Sequence, residues 1–225
     1  MCRILLATAA EPFDPQPLVA DFAAMCGECA VYQGHGWGAA WRGDAHEGDA
    51  HDRDLWRTHH DLAPIWEAPA LPAGPVRHLL VHARSAFRDE GIALENNMPF
   101  TAGGEAFVFN GELHGVRLKV PGRIGAERIF NLTRRLGSEQ ARAVLLDRTE
   151  RVLGMNWITA DAQRAMVSSY GGEDPDYYTL HATGDAAATL ICSRPLPSAT
   201  RWQALAPGIL EGPLCTSSRS AAPTT

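Results

Sequence analysis

The side chains of this chain that could do chemistry sit in a few short stretches. The chain opens Met1-Cys2. Initiator methionine is ordinarily removed before a small side chain, which would leave Cys2 carrying a thiol and a free α-amine on one residue. α-Amines titrate at about 7.7–8.0, well below lysine, so near neutral pH part of the amine is unprotonated and can take the thiol's proton. Such a residue is a nucleophile with its base built in. The other reading makes Cys2 a small hydrophobe that opens a buried strand.

"HARSAF" brings His82 and Arg84 to the end of an apolar run. A permanently charged guanidinium there calls for a carboxylate, from the protein or from a ligand, which its fork binds bidentately. "FVFNGEL" ends an apolar run on Asn110-Gly111. By spacing alone Asn-Gly is a tight hairpin turn. The chemical alternative is an oxyanion hole, with the Asn110 amide and the Gly111 backbone N–H aimed at one developing negative charge. The glycines of "GHGWGAAW" would let backbone approach a ligand closely. Cys26 and Cys29 form "CGEC", but no second C-x-x-C or paired-histidine motif completes a zinc site, so they are read as core residues and no metal is expected. The histidines of "DAHEGDAHDRD" and "RTHHDL" are read as parts of solvated polar loops.

These residues need a frame. At 225 residues the chain can bury a substantial core without disulfides, and its formal net charge of −6 disfavours nucleic acid or an anionic membrane as partner. No stretch approaches the about 18 apolar residues of a membrane span, and the start lacks a charged region followed by an apolar run, so a cytoplasmic location is expected. Five scattered cysteines, including Cys192 and Cys215, fit reduced thiols.

"CRILLAT" reads as a first strand, "PLVADFAAMCGECA" as a helix, and "VRHLLVHARSAF" and "EAFVFNGEL" as buried strands. "GAERIFNLTRRL" and "SEQARAVLLDRTERVL" read as amphipathic helices, and "MNWITAD", "RAMVSSYG", "YYTLHATG" and "ATLICSRPL" as strands. Strands, then two helices, then strands predict one α+β domain in which sheets pack on each other under helices. The domain is expected to span 2–211, followed by a polar, fraying tail over 212–225.

Taken in order, Cys2, "GWG", "HARSAF", "ENNMPF", "FVFNGEL", "GAERIF" and "ICSRPL…WQALAPG" resemble the class II glutamine amidotransferase domain. That family belongs to the N-terminal-nucleophile hydrolases, and the likeness is to its stand-alone members, including the γ-glutamyl hydrolases of thiol metabolism. The resemblance implies a four-layer αββα sandwich and a γ-amide hydrolase that needs no cofactor. Cys2, activated by its own α-amine, attacks the γ-amide carbonyl, Asn110 and Gly111 hold the oxyanion, Arg84 clamps the α-carboxylate, and water releases the γ-glutamyl thioester.

Two positions depart from the pattern. Gly125 of "IGAE" stands where the family has the aspartate that binds the substrate's α-ammonium, and Met98 of "NNMP" replaces a histidine. Losing a carboxylate opposite a desolvated ammonium costs a few kcal/mol, so free glutamine should bind poorly and a γ-glutamyl amide with a further anchoring group should bind better. Glu112 and Glu127 are the nearby replacements for the missing carboxylate. The small-molecule γ-glutamyl substrate is then glutamine or a conjugate. The alternatives are an ammonia-supplying subunit of a separate synthetase and a non-catalytic binding or regulatory relative.

Overall fold

In strand β1 (Arg3–Phe13) Leu5 and Ala7 alternate with Ile4 and Leu6, and all four are buried, so the strand has protein on both faces. The computed structural model describes residues 1–43, 56–185 and 187–213, and shows what covers each face. After β1 the chain runs α1 (Gln16–Gly27), β2 (Trp37–Arg42), β3 (Arg57–Asp61), β4 (Val76–Ala83), β5 (Phe100–Ala102), β6 (Glu105–His114), α2 (Gly125–Leu136) and α3 (Ser138–Arg148). It continues through β7 (Arg151–Ala160), β8 (Arg164–Ser169), α4 (Pro175–Tyr178), β9 (His181–Gly184), β10 (Ala188–Cys192), β11 (Gln203–Ala204) and β12 (Gly208–Pro213). The pairing is antiparallel in two sheets, ordered β11-β9-β10-β1-β4-β2-β3 and β12-β8-β7-β6-β5.

Leu5 and Ala7 pack with Val19, Phe22 and Cys26 of α1, while Ile4 and Leu6 join Val108, Trp157 and Ile158 of the second sheet. The far face of that sheet carries α2 and α3: Phe107 stacks on Phe130 of α2 with ring centroids 5.0 Å apart. The layers are therefore helix, sheet, sheet, helix, as the resemblance implied. Helix α2 holds its place through Ala126, Ile129, Phe130 and Leu132 on one face, with Glu127 in its first turn and Arg134 and Arg135 in its last, which suits the helix dipole. No helix among the described residues is long and apolar enough to cross a membrane.

Several local expectations are corrected. Asn110-Gly111 is no turn: both lie inside β6, opposite Asn156 and Met155 of β7. The cross-strand ladder overrides the dipeptide's turn preference. "SEQARAVLLDRTERVL" is helical only to Arg148, and after Thr149 and Glu150 its last three residues open β7, where Val152 pairs with Leu113. Tyr177 and Tyr178 of "YYTLHATG" are in α4, where Pro175 occupies the first turn and the Asp174 carboxylate accepts from the Tyr177 N–H. "RTHHDL" is mostly strand β3 rather than loop, paired to β2. Strand β12 runs to Pro213, two residues past the expected domain end. The polar stretch 44–55 and the chain from 214 onward, with Cys215, lie outside the described residues.

Candidate active site

The register of β1 with β4 sets Arg3 opposite Ala83, so the next residues outward, Cys2 and Arg84, meet at the same end of the sheet. Cys2 Sγ accepts from the Ser85 backbone N–H at 3.4 Å and lies 3.6 Å from the Ser85 carbonyl oxygen. The Tyr177 hydroxyl, brought in by α4, lies 3.0 Å from the Met1 carbonyl oxygen and 3.3 Å from that of Cys2. Gln33 Nε2 donates to the same Met1 carbonyl at 3.4 Å and to the Tyr177 hydroxyl at 3.3 Å, which leaves Gln33 Oε1 buried without a partner. Arg3 lies 3.9 Å over the Tyr177 ring. Burial pushes the Tyr177 phenol well above its ordinary range despite Arg3, so it stays a neutral hydroxyl.

Arg84 is 5% exposed. Its Nη2 donates to the Gly91 carbonyl at 2.8 Å and its Nη1 lies 3.5 Å from Asn97 Oδ1, and among the described residues it has no carboxylate partner. Burial lowers its proton affinity while the neighbouring Cys2 thiol raises it. The glycines at the start of β2 let this corner close. Gly36 has φ +102°, and the place of a Cβ there is taken by the Asn97 amide, which itself donates to the Asp61 carbonyl at 2.7 Å. A Cβ on Gly38 would collide with His60 and with the Met98 carbonyl.

On β6, Phe107 faces α2, so Asn110, three residues on, faces the other sheet. Asn110 is wholly buried, and among the described residues neither its Nδ2 nor its Oδ1 has a hydrogen-bond partner. His82, also wholly buried, shares this deficit at both ring nitrogens, and burial together with the nearby Arg84 pushes its pKa down to about 3. A Cβ on Gly111 would lie 2.5 Å from the Phe109 ring and 2.6 Å from the Gly154 carbonyl oxygen, which explains the glycine at this position.

One cavity of about 540 Å³ is lined by Cys2, Arg84, Gly111 and Gly125 together; Asn110 is not among its lining residues. Gly125 opens α2, and nothing lies within 4 Å of where its Cβ would be. Met98, buried, forms part of the wall. Of the two carboxylates considered above, Glu127 pairs with Arg123 at 2.7 Å, outside the lining, while Glu112 lines the cavity with its carboxylate 2.8 Å from His114 Nε2. Cys26 is buried on the inner face of α1, where desolvation pushes its thiol well up, and Cys29 Sγ lies 3.8 Å from Met25 Sδ.

The sequence reading passed over three parts of the site: the Ser85 N–H, the Tyr177–Gln33 pair and the wall formed by Val116, Leu118 and Val120. Only the last left a signal, the alternation of apolar residues in "VRLKV".

The fold is similar to that of solved glutamine amidotransferase structures, one of them described as a class-II domain protein. A glutamine aminotransferase class-II domain protein from Silicibacter pomeroyi matches with a TM-score of 0.59 at 18% identity, covering 95% of this chain and 99% of that one. The glutamine phosphoribosylpyrophosphate amidotransferase of B. subtilis matches at TM-score 0.56 and 14% identity over 85% of this chain, which spans 42% of that larger one. A predicted glutamine amidotransferase from Pseudomonas aeruginosa PA01 matches at TM-score 0.52 and 15% identity, over 95% of this chain and 98% of that one. No family model and no curated protein matches the sequence.

Proposed function

We propose that the chain is an N-terminal-cysteine amidase that hydrolyses the γ-amide bond of a glutamine-type substrate through a γ-glutamyl thioester. The observation that carries this reading is the convergence of Cys2, Arg84 and Gly111 on one cavity, with Arg84 buried there and lacking a carboxylate partner among the described residues. A buried guanidinium without an anion is unfavourable, and a substrate α-carboxylate satisfies it.

With Met1 removed, the α-amine of Cys2 takes the thiol proton and Sγ attacks the γ-carbonyl carbon. The C–S bond forms as the carbonyl oxygen gains the negative charge. Gly111 N–H and the unpartnered Asn110 amide are the donors assigned to that oxyanion, each worth about 3 kcal/mol in comparable sites. The protonated amine passes its proton to the leaving nitrogen, and water then cleaves the thioester. The Tyr177 hydroxyl and the Gln33 side-chain amide, both of which donate to the Met1 carbonyl in the full chain, are the groups assigned to orient the liberated amine.

A diazo-ketone glutamine analogue tests the reading. Incubation of the Met1-free protein should add one ligand mass, less dinitrogen, with the modified peptide beginning at Cys2. No adduct, or an adduct on another residue, would overturn it.

A further inference from the structure

We infer that the substrate is a glutamine whose α-nitrogen is acylated by an apolar group, the acyl chain lying along Val116, Leu118, Val120 and Ile124 beside Gly125. The inference rests on the amidase reading and specifies its substrate class. If Arg84 holds the α-carboxylate, the α-nitrogen is attached to the same carbon and must lie on the wall next to that guanidinium. Ile124 forms this wall: its Cγ2 and Arg84 Nη2 lie 3.8 and 3.9 Å from one point beside Gly91. The next residue is Gly125, with open space where a Cβ would stand.

An ammonium is poorly served there. The surroundings are the N-terminus of α2, which carries positive partial charge, Arg84, Arg128, and Arg123, whose partner Glu127 is already engaged at 2.7 Å. Of the acidic lining residues, Glu112 faces His114 and Glu90 is exposed. An amide nitrogen avoids this cost because it carries no charge. The cavity also continues past Gly125 as apolar surface, through Ile124 and Ile129 to the deeply buried Leu132 and Leu145. Its volume of about 540 Å³ lies within the about 300–1,000 Å³ of pockets for drug-sized ligands, far more than a free amino acid fills. The reaction balances without a co-reactant: the γ C–N bond breaks, water is consumed, and ammonia and the N-acylglutamate leave.

The test compares ammonia release from N-octanoyl-L-glutamine and from L-glutamine by the Met1-free protein. It also compares binding of N-octanoyl-L-glutamate and L-glutamate to the Cys2→Ala protein by calorimetry. The octanoyl substrate should be favoured in kcat/KM by about 100-fold, since each buried methylene adds to binding. Gly125→Asp, for which there is room, should narrow that ratio at least tenfold by offering a carboxylate to the ammonium. Cys2-dependent turnover that favours free glutamine overturns the inference and leaves the amidase reading standing. Absence of turnover with both compounds overturns the amidase reading; binding of the octanoyl product alone would then still support the acyl site, and equal or absent binding would overturn that as well.

Discussion

The Ser85 backbone N–H points at Cys2 Sγ from 3.4 Å, one step beyond the β1–β4 ladder that sets Ile4 opposite His82. A backbone donor held just beyond the end of a buried strand steadies sulfur as it gains negative charge, and it costs little rearrangement when the charge develops. Because Arg84 and Ser85 follow directly on β4, the end of one strand delivers both the thiol's hydrogen-bond donor and the guanidinium assigned to the substrate carboxylate.

If the α-amine of Cys2 is the base, the active protein begins at Cys2. Terminal sequencing of a fully active preparation should show no Met1, and retention of Met1 at full activity would refute the mechanism. Cys2→Ala should abolish turnover with an unchanged circular dichroism spectrum, because the side chain precedes β1 and loses a single sulfur.

Asn110 offers a separation of stability from activity. Its amide has no partner in the fold, so Asn110→Leu removes a buried polar group without orphaning another and should hold or raise Tm. Asn110→Ala should lower kcat by about 10²–10³-fold with little change in KM, as expected of a donor that acts mainly in the transition state. A rise in KM at unchanged kcat would remove Asn110 from the oxyanion site.

Tyr177→Phe deletes the hydroxyl beside the Met1 and Cys2 carbonyls while keeping the ring under Arg3. As a positioning residue for the amine, Tyr177 should, when changed, shift the ascending limb of the pH–rate profile and lower kcat several-fold. An unaltered profile with only reduced Tm would make the hydroxyl purely structural.

Two buried histidines predict acid sensitivity. Burial and Arg84 push His82 down to about 3, and burial with Arg42 and Arg77 pushes His78 down to about 4, from 6.5 in the unfolded chain. Between these values the unfolded state binds more protons, so stability falls as pH drops below 6.5 and is level, for these groups, above it. Each contributes at most about 1.4 kcal/mol per pH unit. Urea titrations from pH 4 to pH 8 should show the slope, and His82→Leu should remove one histidine's share; an unchanged slope would mean that His82 is not buried neutral.

Much of this molecule was readable from residue order. Apolar runs placed β1, β4 and β6, helical periodicity placed α2 to the residue, and the ordered Cys2, His82-x-Arg84 and Asn110-Gly111 pointed to the fold's family. Those signals are local, because burial on one face imposes its period on the nearby chain. What pairing decides is non-local. Asn-Gly became mid-strand because β7 lies beside it, "RVL" became strand by pairing with β6, and "RTHHD" became an edge strand against β2. The site divides the same way. Cys2 and Arg84 were nameable from their chemistry, but their meeting depends on a β1–β4 register that brings together residues far apart in the chain. Tyr177 reaches Met1 from α4 and Gln33 from the connection between α1 and β2, and the apolar wall beside Gly125 exists only once the segment 116–124 folds over the cavity. Side-chain type sets which reactions a residue can join, while proximity is set by backbone pairings between distant segments, which leave no local trace in the sequence.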